Sequence, residues 1–447
     1  MAAISPSRRA AFAILKAIER GHAHSDDLLR GKSVADLSDA DRHLTTALVL
    51  GTLRWQIALD HRLRPLLKHP NAKLDAEVLI ALRLGAFQLL HMDRIPARAA
   101  IDESVELTKK AGHRFASGMV NAVLRKLSTA PTAQIAEDSA ANLALAQAHP
   151  AWIVERWVGF YGLEAARAIC SHGQTQPTLT VRIESRAAED ELVAAGIKLE
   201  PGELLTASRA ITSGEVTNTA AFLQGRVRLQ DEGSQLVAEI VGSGNSILDC
   251  CAAPGGKTLI LAERNPRARI VACESSPQRR AQLSQRLEQL GDRVECRLAD
   301  ITLLTDEAAF DVVLADVPCS GTGTLGRNPE IRHRLRLEEL SRQAERQRAI
   351  LGAALRAVRP GGRVVYSTCS LEPEEDEQVI AEVISASAGA RQVSLQSRIE
   401  DLREQRILTD SGAERLGACL TPEGGLRLLP GVFHTDGFFV AMIEKSA

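Results

Sequence analysis

The sequence predicts a multidomain protein: an all-α N-terminal domain, a small α/β middle subdomain, and a C-terminal Rossmann-like, doubly wound parallel sheet. Three observations carry this reading. At 447 residues, the chain exceeds what one hydrophobic core ordinarily organises. Through residues 1–128, apolar positions recur at helical spacing with no strand-like alternation. From residue 232 onward, short β-branched runs alternate with amphipathic helices, the order that a parallel sheet covered on both faces requires.

Helical spacing begins in PSRRAAFAILKAIERG, which closes on Gly21. It continues through DRHLTTALVLGTLRWQIALDHRLRPLL, AEVLIALRLGAFQLLHM, AAIDESVELTKKAG and ASGMVNAVLRKL. STAPTAQIAEDSAANLALAQ has no strong apolar face at its start, so 129–148 reads as a partly helical linker. Over 149–231 the pattern is mixed. HPAWIVERWVGFYG and AAEDELVAAG read as helical; TLTVRI, LLTASRAI and GRVRLQ read as strands. In 232–447, SILDC, RIVACE, VECRLAD, FDVVLAD and RVVYSTCS are the strands of the sheet, and LRLLPGVFHTDGFFVAMIEK reads as a hairpin turning at Asp436-Gly437.

Hydrophobic residues make up 45% and charged residues 25%, ordinary for a globular protein. No apolar run approaches the roughly 20 residues needed to span a bilayer. The N-terminus is broken by charge every few residues and lacks a signal-peptide core. A cytoplasmic protein without membrane contact is expected. The net charge of −2 conceals an asymmetry: residues 1–126 hold 20 Lys+Arg against 13 Asp+Glu. Such an imbalance points the N-terminal part towards a polyanion. The eight cysteines include no C-x-x-C pair, so no metal site is expected. Cys250, Cys273 and Cys296 read as small buried hydrophobes in a reducing compartment. Cys319 and Cys369 differ, each ending a strand beside turn-forming residues.

LDCCAAPGGKT comes within one residue of a phosphate-binding G-x-x-x-x-G-K-[ST] loop, with Cys251 in the position of its first Gly. Cys251 and Pro254 remove the backbone freedom and one of the donors that such a cradle needs. Asp249, Glu274 and Asp300 end three strands, and Glu274 has the spacing of a carboxylate that binds ribose hydroxyls. Three acids suit an adenosine ligand carrying positive charge rather than phosphate, which is the chemistry of S-adenosylmethionine; a P-loop-like NTPase is the weaker alternative. DVPCSGTG resembles the fourth motif of cytosine-5 methyltransferases, and that resemblance implies pyrimidine chemistry at its thiol, Cys319, in which a thiolate adds to carbon 6 and makes carbon 5 nucleophilic. Cys369, in VVYSTCSLEPEEDE, could adjoin it. Residue chemistry alone leaves open which thiol attacks.

LDCCAAPGGKT, DVPCSGTGTLGRNPEIRHR, YSTCSLEPEEDEQVI and DGFFVAMIEK together resemble the bacterial RNA cytosine-5 methyltransferases. HPAWIVERW and VRLQDEGSQL extend the resemblance upstream, and RAAIDESVELTKKAG and SGMVNAVLRKL resemble the NusB-like RNA-binding fold. The combination is similar to the RsmB (Sun/Fmu) family. It implies methylation of carbon 5 of a cytosine in 16S rRNA, with that RNA or a small-subunit assembly intermediate as partner; a monomer is expected. It further implies Cys369 as nucleophile, Cys319 as an aid to product release, and Asp316 as a contact to the cytosine near the cofactor. The implied cofactor site is Cys251, Ala252, Ala253, Pro254, Gly255, Gly256 and Lys257 with Glu274, Asp300 and Asp316. Val317 stands where the family has Ala, and Glu274 where it has Asp. A non-enzymatic NusB-like antitermination factor is the alternative from another class, resting on the N-terminal domain alone.

With nine Phe, three Trp and two Tyr, stacking on a sheet platform is not expected. RNA contact is assigned to the basic N-terminal domain and to Arg327, Arg332, Arg334 and Arg336 beside the Cys319 loop.

Overall fold

The computed structural model describes residues 4–21, 24–131 and 134–447; residues 132–133 of the expected linker lie outside the described residues. The chain divides into two compact units: the chain to Gln176 with Leu325–Arg334, and Pro177–Thr324 with Leu335–Ala447. No described helix is long and apolar enough to cross a membrane.

The first unit is helical, as its 3.6-residue periodicity requires. Helices Pro6–Glu19, Asp39–Leu63, Ala76–His91, Ala97–Lys110 and Ser117–Thr129 bury Leu48, Leu82, Leu84 and Leu124 completely. Two further helices, Ala140–Ala146 and Ala151–Gln174, group with this unit. They are well packed: Leu143, Ile153, Val154 and Trp157 are all inaccessible, and the Trp157 ring meets His149 edge-on at 5.9 Å.

The segment Leu325–Arg334, which follows the Cys319 loop in sequence, completes the helical unit. Arg332 is 1% exposed. Its guanidinium donates to the carbonyls of Arg54 (3.2 Å), Ala148 (3.3 Å), Gly173 (3.0 Å) and Leu325 (3.2 Å). Arg54 donates in return to the Gly326 carbonyl at 2.7 Å, and buried Glu330 accepts from the Ser25 amide and hydroxyl at 2.9 and 2.8 Å. Burial pushes the Arg332 pKa down to about 9, which still leaves it charged at neutral pH. The expected RNA-facing arginine cluster is therefore corrected at Arg332 and Arg334, while Arg336 is exposed. Arg332 is an internal cross-link, and Arg334 donates to the Ile18 carbonyl at 2.9 Å.

The second unit holds two sheets. The smaller has strands β1 (Leu179–Ile183), β2 (Lys198–Pro201), β3 (Ser208–Ser213) and β4 (Val227–Leu229), antiparallel in the order β2-β3-β1-β4. Arg182 of β1, fully buried, pairs with Glu239 at 2.8 Å and Glu263 at 2.7 Å. Both carboxylates lie on helices that cover the larger sheet, Glu232–Val241 and Gly256–Arg264. The larger sheet has β5 (Ser246–Asp249), β6 (Arg269–Glu274), β7 (Val294–Leu298), β8 (Phe310–Asp316), β9 (Val358–Thr368), β10 (Ala390–Val393), β11 (Leu426–Leu428) and β12 (Phe438–Lys445). Five strands are parallel in the order β9-β8-β5-β6-β7. The order reverses between β5 and β8, which opens a crevice at their carboxyl ends. β12 pairs antiparallel with β9, β10 and β11.

The expected tight hairpin at Asp436-Gly437 is not formed. β11 and β12 do pair, Leu428 opposite Phe438, but residues 429–437 connect them as a long loop. Asp436 and Gly437 are used for close packing instead. The Gly437 amide donates to the Gly323 carbonyl at 2.8 Å. A Cβ on Gly323 would come within 2.6 Å of the Gly437 carbonyl oxygen. Glycine is needed at this approach because two backbones touch, not because a turn demands it.

All three tryptophans, Trp55, Trp152 and Trp157, lie in the helical unit, so their fluorescence reports its unfolding. Arg332→Met should destabilise that unit by about 1–3 kcal/mol, the cost of leaving buried carbonyls unpaired. Urea titration read by tryptophan emission measures it; Arg336→Met, an exposed neighbour, should shift the midpoint far less.

Candidate active site

Five parallel strands deliver their carboxyl ends to one edge, and the acidic strand ends lie there. Glu274, Asp300 and Asp316 line one cavity together with Cys251 and Ala253 of the Gly-rich loop. The loop enters the helix Gly256–Arg264 through Gly255, whose φ of +97° is left-handed; the Ala253–Pro254 peptide is cis. Ala252, in the same loop, is buried and does not line the cavity. Pro254, Gly255, Gly256 and Lys257, expected in the cofactor site, do not line it. Asp300 lies two residues beyond β7, where its carboxylate caps a short turn by accepting from the Thr302 amide at 3.0 Å.

Asp249 departs from the sequence reading. It is 1% exposed and turns inward, where one carboxylate oxygen accepts from the Thr258 hydroxyl at 2.7 Å and the other has no hydrogen-bond partner. Burial, the main cause, pushes its pKa up to about 6, with Asp316 adding to the shift.

Three lining groups had no local sequence signal strong enough to single them out. Arg279, on the first turn after β6, pairs with Glu274 at 3.3 Å and donates to the Ala253 carbonyl at 2.8 Å. Ser275 follows Glu274 directly, and Arg346 arrives from the distant helix Leu337–Ala357. The position of Arg279, one helical turn from a strand-end acid, is the one clue the sequence offered.

Asp316 joins the cavity to the thiols. One of its oxygens accepts from the Lys257 ammonium at 2.7 Å, the other from the Ser367 hydroxyl at 2.7 Å. Burial works against the charge on Lys257, but Asp316 outweighs it and the ammonium pKa is raised. The ammonium also lies 5.6 Å over the Phe438 ring. β8 and β9 are adjacent and parallel, so their ends bring Cys319 and Cys369 together, sulfur to sulfur at 3.0 Å. The two loops are stitched to each other. The Gly323 amide donates to the Cys369 carbonyl at 2.9 Å, and the Leu371 amide to the Thr322 hydroxyl at 2.8 Å. Cys250 and Cys273 are buried as expected, and Cys296 is half-buried; burial pushes the Cys273 pKa to about 12.

Comparisons with known proteins agree on the family. Residues 5–129 match the NusB family, 149–211 the ferredoxin-like domain of RsmF/B-like methyltransferases, and 241–444 the 16S rRNA methyltransferase RsmB/F family. The probable ribosomal RNA small subunit methyltransferase B of Bacillus subtilis is 33% identical, over 98% of both chains. The ribosomal RNA small subunit methyltransferase B of Pseudomonas putida is 31% identical, over 98% of both. Among solved structures, PH0851 superposes with a TM-score of 0.79 over 99% of this chain and 100% of its own, at 23% identity. NSun6 from Pyrococcus horikoshii, crystallised with SFG, gives 0.54 over 66% and 97%, at 20% identity. These two likenesses speak to the fold.

The inward turn of Asp249 has a measurable consequence. Its folded pKa, near 6, lies above the ordinary value near 3.9, so the folded state holds the proton more tightly. Stability therefore falls as pH rises through that interval and stays reduced above it. Asp249→Asn, whose amide oxygen still accepts from Thr258, should stabilise the protein by about 1–3 kcal/mol at pH 7. The gain should vanish below about pH 4. Denaturation at pH 4 and pH 7 tests both signs.

Proposed function

The chain belongs to the RsmB/F family of 16S rRNA methyltransferases, and from that premise we propose that it methylates carbon 5 of a cytosine in small-subunit rRNA through a covalent bond to Cys369. The observation that carries this reading is the pair of sulfurs 3.0 Å apart at the ends of adjacent strands, with Asp316 beside both the thiols and the cofactor cavity. A methyl transfer to carbon or nitrogen that needed no nucleophile would need neither thiol.

S-adenosylmethionine is the cofactor, and it supplies the methyl group as an electrophile. The lining fits it: Glu274 and Asp300 are carboxylates able to accept from hydroxyls and to favour a positive ligand. The same acids, with Asp316, would repel a polyphosphate, which disfavours the NTPase alternative. The Gly-rich loop, Cys251 to Lys257, forms the wall from which Ala253 and Cys251 face the ligand.

Cys369 Sγ adds to carbon 6 and forms the C–S bond, and the displaced π electrons make carbon 5 nucleophilic. Asp316, held in place by Lys257 and Ser367, contacts the base on its polar edge. After the methyl group is received, a base removes the proton from carbon 5. The C5=C6 double bond re-forms, and the C–S pair returns to Cys369. Cys319, in hydrogen-bond contact with that sulfur, donates to it as it leaves and so assists release. The target base reaches these groups only when unstacked. The basic surface of residues 1–126 supplies sequence-independent attraction to the RNA backbone.

Two outcomes are expected. Glu274→Ala should weaken S-adenosylmethionine binding by about 1–3 kcal/mol, the loss of charge-assisted hydrogen bonds, read by calorimetry; tighter binding of ATP–magnesium than of S-adenosylmethionine would contradict the cofactor assignment. Cys369→Ala should abolish methylation and form no adduct with RNA, whereas Cys319→Ala should transfer the methyl group and accumulate a protein–RNA adduct stable on denaturing gels. An adduct trapped by Cys369→Ala would exchange the two roles.

A further inference from the structure

The helical unit carries a second cavity, of about 460 Å³, which methyl transfer does not use. It lies where the helices Asp39–Leu63 and Ala76–His91 meet the segment leading into Ala140–Ala146. A volume of this size is that of a small-ligand site. Its lining is of two kinds, and both select for the same ligand chemistry.

The first kind is aromatic and aliphatic. Trp55 and His91 line the cavity, and their rings stack at 4.4 Å with planes 22° apart. His91 also stacks on Phe87, at 5.5 Å and 21°, and Phe87 is buried in the core. The three rings therefore form one stack with a fixed root. Trp55 is only half-buried, so part of a large indole stays accessible beside the aliphatic walls of Leu59, Leu90, Ile135 and Leu145.

The second kind is polar and, on balance, positive. Arg62 lines the cavity and is steadied by donating to the Pro131 carbonyl at 3.2 Å. The one acid in the lining, Glu137, is already engaged by Gln147 at 2.5 Å and by Arg167 at 3.3 Å. From Arg62 the chain runs on into a cationic stretch: residues 61–73 hold Arg62, Arg64, Lys68 and Lys73 and no Asp or Glu. Arg64, Lys68 and Lys73 are exposed, and the preceding acid, Asp60, is paired with Arg83 at 2.7 Å.

A ligand that suits this lining is flat, has π faces, and trails negative charge. A nucleobase on its sugar–phosphate backbone has all three properties, whereas an apolar side chain of a partner protein lacks the charge. We propose that the cavity docks one unstacked base of a single-stranded RNA segment, with the base against Trp55 and the phosphates towards Arg62 and the stretch that follows it. This rests on the reading of RNA as substrate. The base held here is not the one methylated, because no residue of the methyl-transfer site lines this cavity. Such a grip lets the helical unit favour unpaired RNA, a choice that attraction to the backbone alone cannot make.

The test uses the full-length protein without cofactor and a fluorescent single-stranded RNA of about ten uridines. Binding is read by anisotropy over a range of salt concentrations. Trp55→Leu, which keeps apolar bulk, should weaken binding about tenfold and leave the salt dependence unchanged, because stacking releases no counterions. Arg62→Gln should weaken binding and lower the slope against log salt by about 0.7, the share of one phosphate contact on a single strand. An abasic chain of the same length and charge should bind more weakly and be indifferent to Trp55→Leu. Equal loss on both chains, or loss on neither, overturns the proposal. Should Trp55→Leu fail to fold, photocrosslinking of the unaltered protein to thiouridine-substituted RNA decides. The crosslink is expected in the peptides that hold Trp55 or His91, and crosslinks confined to other peptides overturn the proposal. So does an apolar dye that is quenched or enhanced at Trp55 and is not displaced by the RNA, which would assign the cavity to an apolar partner. None of these readings involves methyl transfer. Base-dependent binding without methylation tells against the catalytic reading alone, and methylation with base-independent binding tells against this cavity alone.

Discussion

The Lys257–Asp316 ion pair is the contact on which the site is built. At 2.7 Å it ties the first turn of the helix after β5 to the end of β8, across the point where the strand order reverses. Strand-end carboxylates gather at this edge because ligands of parallel sheets bind there, and gathered carboxylates repel one another. Lys257 offsets that repulsion where it would be most damaging, next to the thiols. Since Asp316 is also held by Ser367 of β9, the pair fixes three neighbouring strands relative to the cavity. Burying such a pair carries a desolvation cost that only good geometry and further hydrogen bonds repay. Both are present.

The loops beyond β8 and β9 are rigid for a different reason. Ordinary loops satisfy their backbone with water and remain mobile. Here the Cys319 loop is sutured to the Cys369 loop through Gly323, Thr322, Ser320 and Ser370, all buried, and to the β11–β12 connection through Gly437. The motif residues around each thiol are thus mostly internal fasteners, with few groups left to meet a substrate. Such fastening is what a covalent mechanism asks of its nucleophile, because a displacement of an ångström is expensive in rate.

Much of this was legible in the sequence, and the failures have causes. The parallel strands, the Gly-rich loop and the two strand-end thiols were read from periodicity and punctuation, which are local. Asp249 was grouped with the cofactor acids because strand ends look alike in sequence; which way a side chain turns there depends on Thr258 nine residues later. Asp436-Gly437 has the composition of a tight turn, and only the approach of Gly323, a hundred residues earlier, gives it another use. Arg332 read as an RNA contact because arginine next to a catalytic loop is usually exposed. Its four carbonyl partners come from four separate places in the chain, and no local pattern announces them.

The discontinuity of the helical unit bears on the order in which the polypeptide is made. Residues up to Gln176 leave the ribosome first, yet the unit they form is completed by Leu325–Arg334, roughly 150 residues later and therefore after a further ~10–30 s of synthesis. During that interval the carbonyls of Arg54, Ala148 and Gly173 have no Arg332 to meet them. The helical unit is thus begun first and finished late, after the strands that carry Cys319 have been translated. The N-terminal part of this protein is consequently not a module that can be cut away, or transplanted, at a single point in the chain.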